Sequence, residues 1–228
     1  MADRNSHGRP VEMMLAGSTD EYRLQKDPHC ATTKGRPRLR REIGDCRFAA
    51  LFSTCGPETM TFADVTFLPE EPAHETEIEA INAEAFGPGR FTRAAYKIRE
   101  GGPHERALSF VAVRQGEVIA SVKMTRVAAG EGRGLMLGPL AVKPAHKNLG
   151  IGRHLVKLAV EAAAQQGWPA VILVGDEPYY GPLGFKRIPR GQVSMPRPVD
   201  LDRVLAVEIT PGAVARLTGM IDHEDRLR

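Results

Sequence analysis

The stretch LGPLAVKPAHKNLGIGRHLV, residues 137–156, joins an apolar strand broken by Gly138-Pro139 to a helix that opens on two glycines, Gly150 and Gly152. A basic loop, Lys143 to Leu149, lies between them. Proline has no N–H for a ladder, so a strand with an internal Gly-Pro is expected to bulge or lose a neighbour there. The helix should run from about Gly150 to Gln166, with Leu155, Leu158, Ala159 and Ala162 on one face and Gly167 closing it. The next segment, AVILV (170–174), is short and uniformly apolar, as a strand covered on both faces should be. Strand, crossover helix and strand together predict a right-handed parallel unit.

The same patterning extends outward in both directions. TFADVTFL (61–68) reads as a strand with Ala63, Val65 and Phe67 on one face. AHETEIEAINAEAF (73–86) follows as a helix with Ile78, Ile81 and Ala85 at helical spacing, and FTRAAYKIRE (91–100) as a second short helix after the break at Gly87-Pro88-Gly89. ALSFVAV (107–113) and VIASVKMTRV (118–127), linked by RQGE, form a hairpin. Downstream, VLAVEI (204–209) is another strand, and a helix is expected after it with Thr210 as cap and Pro211 in its first position.

Residues 1–59 differ in kind, with no sustained period and recurring polar, Gly and Pro positions. All three cysteines (Cys30, Cys46 and Cys55) fall there, unpaired by any C-x-x-C spacing, which fits neither a disulfide framework nor a zinc site. The cluster RPRLRR (36–41) lacks interleaved aromatics and reads as a solvated basic tail. The expected organisation is a poorly ordered extension over 1–59 and one folded domain over 60–228. One further expectation is an over-extended start, with the native chain opening at Met60; N-terminal sequencing of the native protein checks it, and a start before Met60 removes it.

Composition excludes little by itself. A hydrophobic fraction of 42% and a charged fraction of 26% are ordinary for a globular chain, and a net charge of +3 is too small to call for nucleic acid. No run approaches the ~18 apolar residues of a membrane span, and Phe48–Cys55 is too short and too far in for a signal peptide. A cytoplasmic protein with no metal, no membrane and no nucleic-acid partner is expected, as monomer or homodimer.

The glycine loop carries the chemistry. N–H groups at a helix start are unpaired and the helix dipole adds partial positive charge. A glycine removes the Cβ that would hold a bulky anion away. No carboxylate occurs between Gly132 and Val160, whereas Arg133, Lys143, Lys147, Arg153 and Lys157 do, so the local field is positive and suits a pyrophosphate. The dinucleotide fingerprint would need a third glycine where Leu155 stands, and the P-loop pattern is absent.

In this context, LGPLAVKPAHKNLGIGRHLV followed by VILVGDEPYYGPLGF resembles the acetyl-coenzyme A-dependent N-acetyltransferases of the GNAT superfamily, nearest to its bacterial YhbS-like branch. The resemblance spans roughly Met60 to the C-terminus and is densest from Leu135 to Phe185. It implies an α/β (α+β) fold: a central mixed, mostly antiparallel twisted sheet splayed at a parallel strand pair, with flanking helices. In the family's [QR]-x-x-G-x-[GA] loop, Gly150 and Gly152 match in register, while Lys147 stands in the first position, keeping a donor but losing the planar amide or guanidinium. Lys147, Asn148, Leu149, Gly150, Ile151, Gly152 and Arg153 are thereby implied as the diphosphate site of acetyl-coenzyme A. Leu140, Ala141 and Val142 are implied as main-chain partners of its pantetheine arm. A Tyr-x-x-x-Gly-Phe element, Tyr180 to Phe185, implies Tyr180 as general acid, since a phenol of pKa ~10 stays protonated beside a leaving thiolate of ~8.5.

Departures are Gly175-Asp176, where many relatives carry an asparagine, and Gly181-Pro182, which should shorten the helix bearing Tyr180. Tyr179 reads as packing or substrate contact. Glu84, Asp176 and Glu177 are candidates for the base, and His146 reads as a phosphate contact. The expected activity is acetyl transfer from acetyl-coenzyme A to a primary amine of a small molecule or protein, by direct attack in a ternary complex. Its alternatives are a catalytically weak acyl-coenzyme A-binding sensor and, more distantly, a nucleotide-binding module.

Overall fold

The computed structural model of the chain describes residues 64–227. The expectations for residues 1–59 and for the first residues of the Met60 strand lie outside the described residues. In chain order the elements are β1 (Thr66–Pro69), α1 (Glu75–Phe86), α2 (Ala94–Arg99), β2 (Phe110–Arg114), β3 (Glu117–Gly130), β4 (Gly132–Val142), α3 (Ile151–Gln165) and β5 (Ala170–Val174). They are followed by α4 (Glu177–Tyr180), β6 (Lys186–Arg187), β7 (Val193–Ser194), β8 (Val204–Glu208) and β9 (Leu217–His223). The strands lie in the order β1-β2-β3-β4-β5-β8-β6, with β9 pairing to β3 and β7. Every pairing along that order is antiparallel except β4–β5, which is parallel. This is the mixed, mostly antiparallel sheet with a parallel pair at its centre; off that path the short β7 also runs parallel to β9. No helix among the described residues is long and apolar enough to cross a membrane.

Local chemistry explains the connections. Gln115 and Gly116 both take positive φ (51° and 82°) between paired Arg114 and Glu117, the two-residue turn whose twist matches that of its strands. Gly167, at φ +75°, closes α3: its N–H reaches Ala164 O at 3.0 Å, and that of Trp168 reaches Ala163 O at 3.0 Å. That is the paired C-terminal cap that only a glycine adopts without strain.

The sheet is covered on both faces. On one, α3 inserts Ile151, Leu155, Val156, Ala159 and Ala163 against Ala120, Val122, Met124, Leu135 and Val171. The stripe expected at Leu158 and Ala162 is half-buried instead. The i, i+4 row 151–155–159–163 forms the centre line, and the sheet reaches further round the helix toward Val156 than toward Leu158. On the other face, Ala94 and Ile98 of α2 pack with Val127, Met136, Ile172 and Ile221, while Ile78 and Ile81 of α1 pack with Val111 and Ala141. Val171 and Leu173 of β5 point into one core and Ile172 into the other, which is why AVILV carries no polar residue.

The helix expected after Thr210 does not form. Gly212 lies at φ +78°, inside what would have been the first helical turn, and the chain makes one short 3-10 turn, Val214–Arg216, before entering β9. Leu217, Ile221 and His223 of β9 are buried, and the strand adds to β3 through Val127↔His223 and Ala128↔Asp222. Long-range pairing overrode a locally sound cap signal.

Leu155→Ala, at the centre of the α3 interface, is expected to destabilise the protein by about 2–5 kcal/mol. Urea unfolding at constant m-value measures this, and a loss below about 1 kcal/mol would count against that packing.

Candidate active site

Between β3 and β4 the register slips by one residue. Val122 opposes Leu140 and Met124 opposes Leu137, so Gly138 and Pro139 together face Lys123. This is the bulge that the Gly-Pro pair predicts, with Gly138 at φ +126°. Its consequence appears on the opposite edge of β4. The parallel ladder to β5 ends at Met136↔Ile172, although β4 continues to Val142 and β5 to Val174. From Leu137 onward the two strands diverge, and both sides of the gap open into one cavity of about 1440 Å³. Leu140, Ala141 and Val142 line it from β4, facing Leu173, Val174 and Gly175. Ala141 is buried in the α1 core, so what it can offer a ligand is main chain.

The glycine loop reaches the same cavity. Lys147, Asn148 and Gly150 line it, as do Ile151, Gly152 and Arg153. Leu149 does not; its side chain packs on the α3 core, and any contribution from it is through the backbone. Gly150 caps α3 in the left-handed region at φ 81°, and Asn148 is left-handed at φ 64°. The first bond inside the helix runs from His154 N–H to Gly150 O at 3.0 Å. The N–H groups of Ile151, Gly152 and Arg153 therefore have no partner within α3, and no acid stands in its first turn. The basic field is narrower than the sequence implies, because Lys143 is ion-paired to Glu117 of the hairpin. His146 lines the cavity, and its buried Nδ1 has no hydrogen-bond partner among the described residues.

Tyr179 and Tyr180 enter from α4, which is a single turn because Pro182 cannot continue it. Both line the cavity and meet edge-to-face at 4.7 Å. Tyr180 leans on Phe185 and on Gly175, where a Cβ would come within 2.3 Å of its ring. Burial, reinforced by Tyr179 and Asp176, pushes its phenol up to about 12. The Tyr179 hydroxyl lies over Gly152, 2.7 Å from where a Cβ would stand, and Arg153 sits 5.4 Å from its ring. Gly152 is thus bare for two reasons, a close tyrosine and an exposed helix terminus.

Among the carboxylates considered as bases, Glu84 is exposed and off the cavity wall, and Glu177 pairs with Arg187 at 2.5 Å. Asp176 reaches the wall but pairs with Arg203 at 3.1 Å. Sequence reasoning missed a different group. His104 lines the cavity and its Nε2 lies 2.8 Å from Oε1 of Glu70, a carboxylate whose side chain is 1% exposed. Lys123, opposite the bulge, stands 3.6 Å from the same oxygen. Burial alone would raise the Glu70 pKa, but the His104 hydrogen bond and Lys123 outweigh it and hold the carboxyl below its ordinary value. Glu70 and His104 lie on separate loops, 34 residues apart, so no spacing in the sequence links them.

A sheet parted beside a glycine-opened, acid-free helix terminus, both facing one cavity, offers an extended ligand an open main-chain edge and gives its anionic end unpaired N–H groups. Comparison with known proteins agrees. The acetyltransferase (GNAT) family matches residues 75–184. A curated relative, the uncharacterized N-acetyltransferase YjhQ of Escherichia coli (strain K12), is 28% identical over 131 residues, covering 56% of this chain and 72% of its own. The structure of Escherichia coli YhbS, a GNAT-family N-acetyltransferase in complex with CoA, superposes with a TM-score of 0.60 at 21% identity, over 72% of this chain and 92% of that one. A GNAT-family acetyltransferase from Brucella melitensis in complex with acetyl-CoA gives 0.50 at 24% identity, over 64% and 89%. The chain is thus similar to GNAT-family N-acetyltransferases over residues 75–184 and has their fold.

The two reasons for a bare Gly152 are separable. Gly152→Val is expected to weaken coenzyme A binding by about tenfold or more, and adding Tyr179→Phe, which removes the clashing oxygen, is expected not to restore it. Calorimetric titration measures both; full recovery in the double variant would reduce Gly152 to a packing position.

Proposed function

We propose that the protein moves an acetyl group from acetyl-coenzyme A to a primary amine of a small molecule or protein, by direct attack within a ternary complex. One observation carries this reading: the ladder between β4 and β5 stops at Met136↔Ile172, leaving Leu140–Val142 open to the cavity that also receives the α3 N-terminus. The residues present fit the coenzyme. Unpaired main chain on one strand suits an extended amide-bearing arm, and the left-handed Gly150 with the unblocked Gly152 suits a diphosphate. Lys147, Asn148, Leu149, Gly150, Ile151, Gly152 and Arg153 would hold the diphosphate, and Leu140, Ala141 and Val142 the pantetheine arm. The transferase domain on this reading spans residues 60–228.

When bound, acetyl-coenzyme A supplies an acetyl group activated as a thioester. Main-chain N–H groups beside the bulge can hydrogen-bond the thioester carbonyl as its oxygen gains charge. The amine nitrogen forms the new C–N bond as the C–S bond breaks. His104, steadied by Glu70, takes one proton from that nitrogen, and Tyr180 donates one toward the departing sulfur. With its phenol at about 12, Tyr180 stays protonated throughout the neutral and mildly alkaline range. Its proton is lost only as pH rises through that value, so Tyr180 imposes no fall in rate below about pH 10.

The single-turn α4, ended by Pro182, favours a second reading, a coenzyme-binding domain with little turnover. Coenzyme A binding without thioester consumption across a broad amine panel would select it.

Tyr180→Phe is expected to slow turnover by about 10²–10⁴-fold with coenzyme affinity unchanged. Single-turnover thioester cleavage measures it, and an unaltered rate would remove Tyr180 as the acid.

A further inference from the structure

The wall of the cavity near α1 and α2 is not electrically balanced. Of the five carboxylates lining the cavity, four already have cationic partners, Glu75 with Arg106 at 2.9 Å, Glu79 with Arg90 at 2.6 Å, Glu100 with Lys97 at 2.6 Å and Asp176 with Arg203 at 3.1 Å, and the fifth, Asp200, accepts the Asp202 N–H at 3.0 Å. Arg93 and Arg99 line the same wall with no carboxylate in ion-pairing range among the described residues. Arg93 is exposed and lies 5.0 Å from the Phe86 ring. Arg99 is largely withdrawn from water, and burial depresses its pKa to about 10. Its contacts are one long hydrogen bond from Nη1 to Gly138 O, at 3.4 Å, and the Tyr96 ring at 5.5 Å. A guanidinium has five donors, so most of this half-buried fork faces the cavity without a hydrogen-bond partner among the described residues. Withdrawing a charge from water is costly, Glu79 offsets it only at a distance beyond ion-pairing range, and a planar fork matches a carboxylate in two-point fashion.

Position narrows the ligand further. The gap between β4 and β5 runs from the α3 end, after Val142, down to the bulge, where the ladder closes. A chain anchored at the glycine loop and lying in that gap has its free end at the bulge. Arg99 touches the bulge itself, at Gly138. An anion on Arg99 therefore lies only a few bonds from the group attacked there. On the same wall Asn82 is 4% exposed, and its Oδ1 has no hydrogen-bond partner among the described residues. It can accept an N–H from a ligand.

We infer that the acceptor is a small amine bearing its own carboxylate, a free amino acid, seated with the carboxylate on Arg99 and Arg93 and the amine toward the bulge. This rests on the acetyl-transfer reading above.

The test is thiol release from acetyl-coenzyme A by the full chain, with the common L-amino acids each run beside its carboxamide. At least one amino acid is expected to exceed its own carboxamide in kcat/KM by about tenfold or more, because a site built for a charged group rejects the analogue lacking it. In Arg99→Met and in Arg93→Met the preference is expected to shrink through a raised KM, with coenzyme A affinity and thermal midpoint unchanged. Arg93 is exposed, so its variant keeps the test readable if Arg99→Met fails to fold.

The proposal is overturned by equal or better use of the carboxamides, or by a preference that survives both substitutions. It is likewise overturned by coenzyme-binding protein that acetylates peptides or simple amines but no free amino acid, or that acetylates nothing. Failure of the wild-type protein to bind coenzyme A would bring down the acetyl-transfer reading itself, and this inference with it.

Discussion

Two residues against one, Gly138 and Pro139 facing Lys123, set the geometry on which the rest of this site depends. A regular β4 would zip along β5 to its end, satisfy its own N–H and C=O groups, and close the sheet. The bulge instead turns β4 away after Met136, so backbone that would be buried and paired becomes backbone available to a ligand. Because α3 begins at the far end of the same gap, one distortion supplies both an open edge and a route from that edge to a helix N-terminus.

An open sheet must be held open, and both strands are anchored from behind. β5 is fixed by five consecutive pairs to β8, while β4 is fixed to β3 on either side of the bulge. The cores on the two faces then clamp the sheet through Leu155 and Val156 above and Ile98 and Met136 below. Buried polar atoms without a hydrogen-bond partner among the described residues include Glu70 Oε2, Asn82 Oδ1, Ser121 Oγ, Thr125 Oγ1 and His146 Nδ1. Such groups are costly in a packed interior and concentrate where a protein handles polar ligands.

Charge follows the same division of the cavity. At the α3 end, Lys147 and Arg153 surround unpaired N–H groups with no acid in the first turn. At the α2 end, Arg93 and Arg99 stand among carboxylates that are already neutralised. Between the two ends lie Tyr180, kept protonated by burial, and His104, tied to Glu70. On the proposed reading, opposite protonation tasks fall to these two groups, whose surroundings differ.

Much of this was legible in the linear chain, for a definable reason. Backbone constraints act locally: Gly138-Pro139 announces a bulge, Gln115-Gly116 a tight hairpin turn, Gly150 and Gly167 the two ends of α3, and an unbroken AVILV a strand covered twice. Each is written in residues that widen or fix φ, remove a donor or run on without a polar break, so neighbours along the chain suffice to read it. The sequence by itself therefore determined the bulge in β4 and the helix terminus after it, while the splay of the parallel pair and the register of Tyr180 were legible only through the family resemblance. Other features were decided only in three dimensions. The segment after Thr210 became strand β9 because β3 had an edge to offer; Lys143 lost its free charge to Glu117 across the hairpin; and Tyr179 came to rest over Gly152. The pairing of His104 with Glu70, and the lack of a carboxylate in ion-pairing range of Arg99 among the described residues, belong to the same group. These depend on which side chains distant segments bring within a few ångströms, and pairwise distance across a fold is a property that no local pattern encodes.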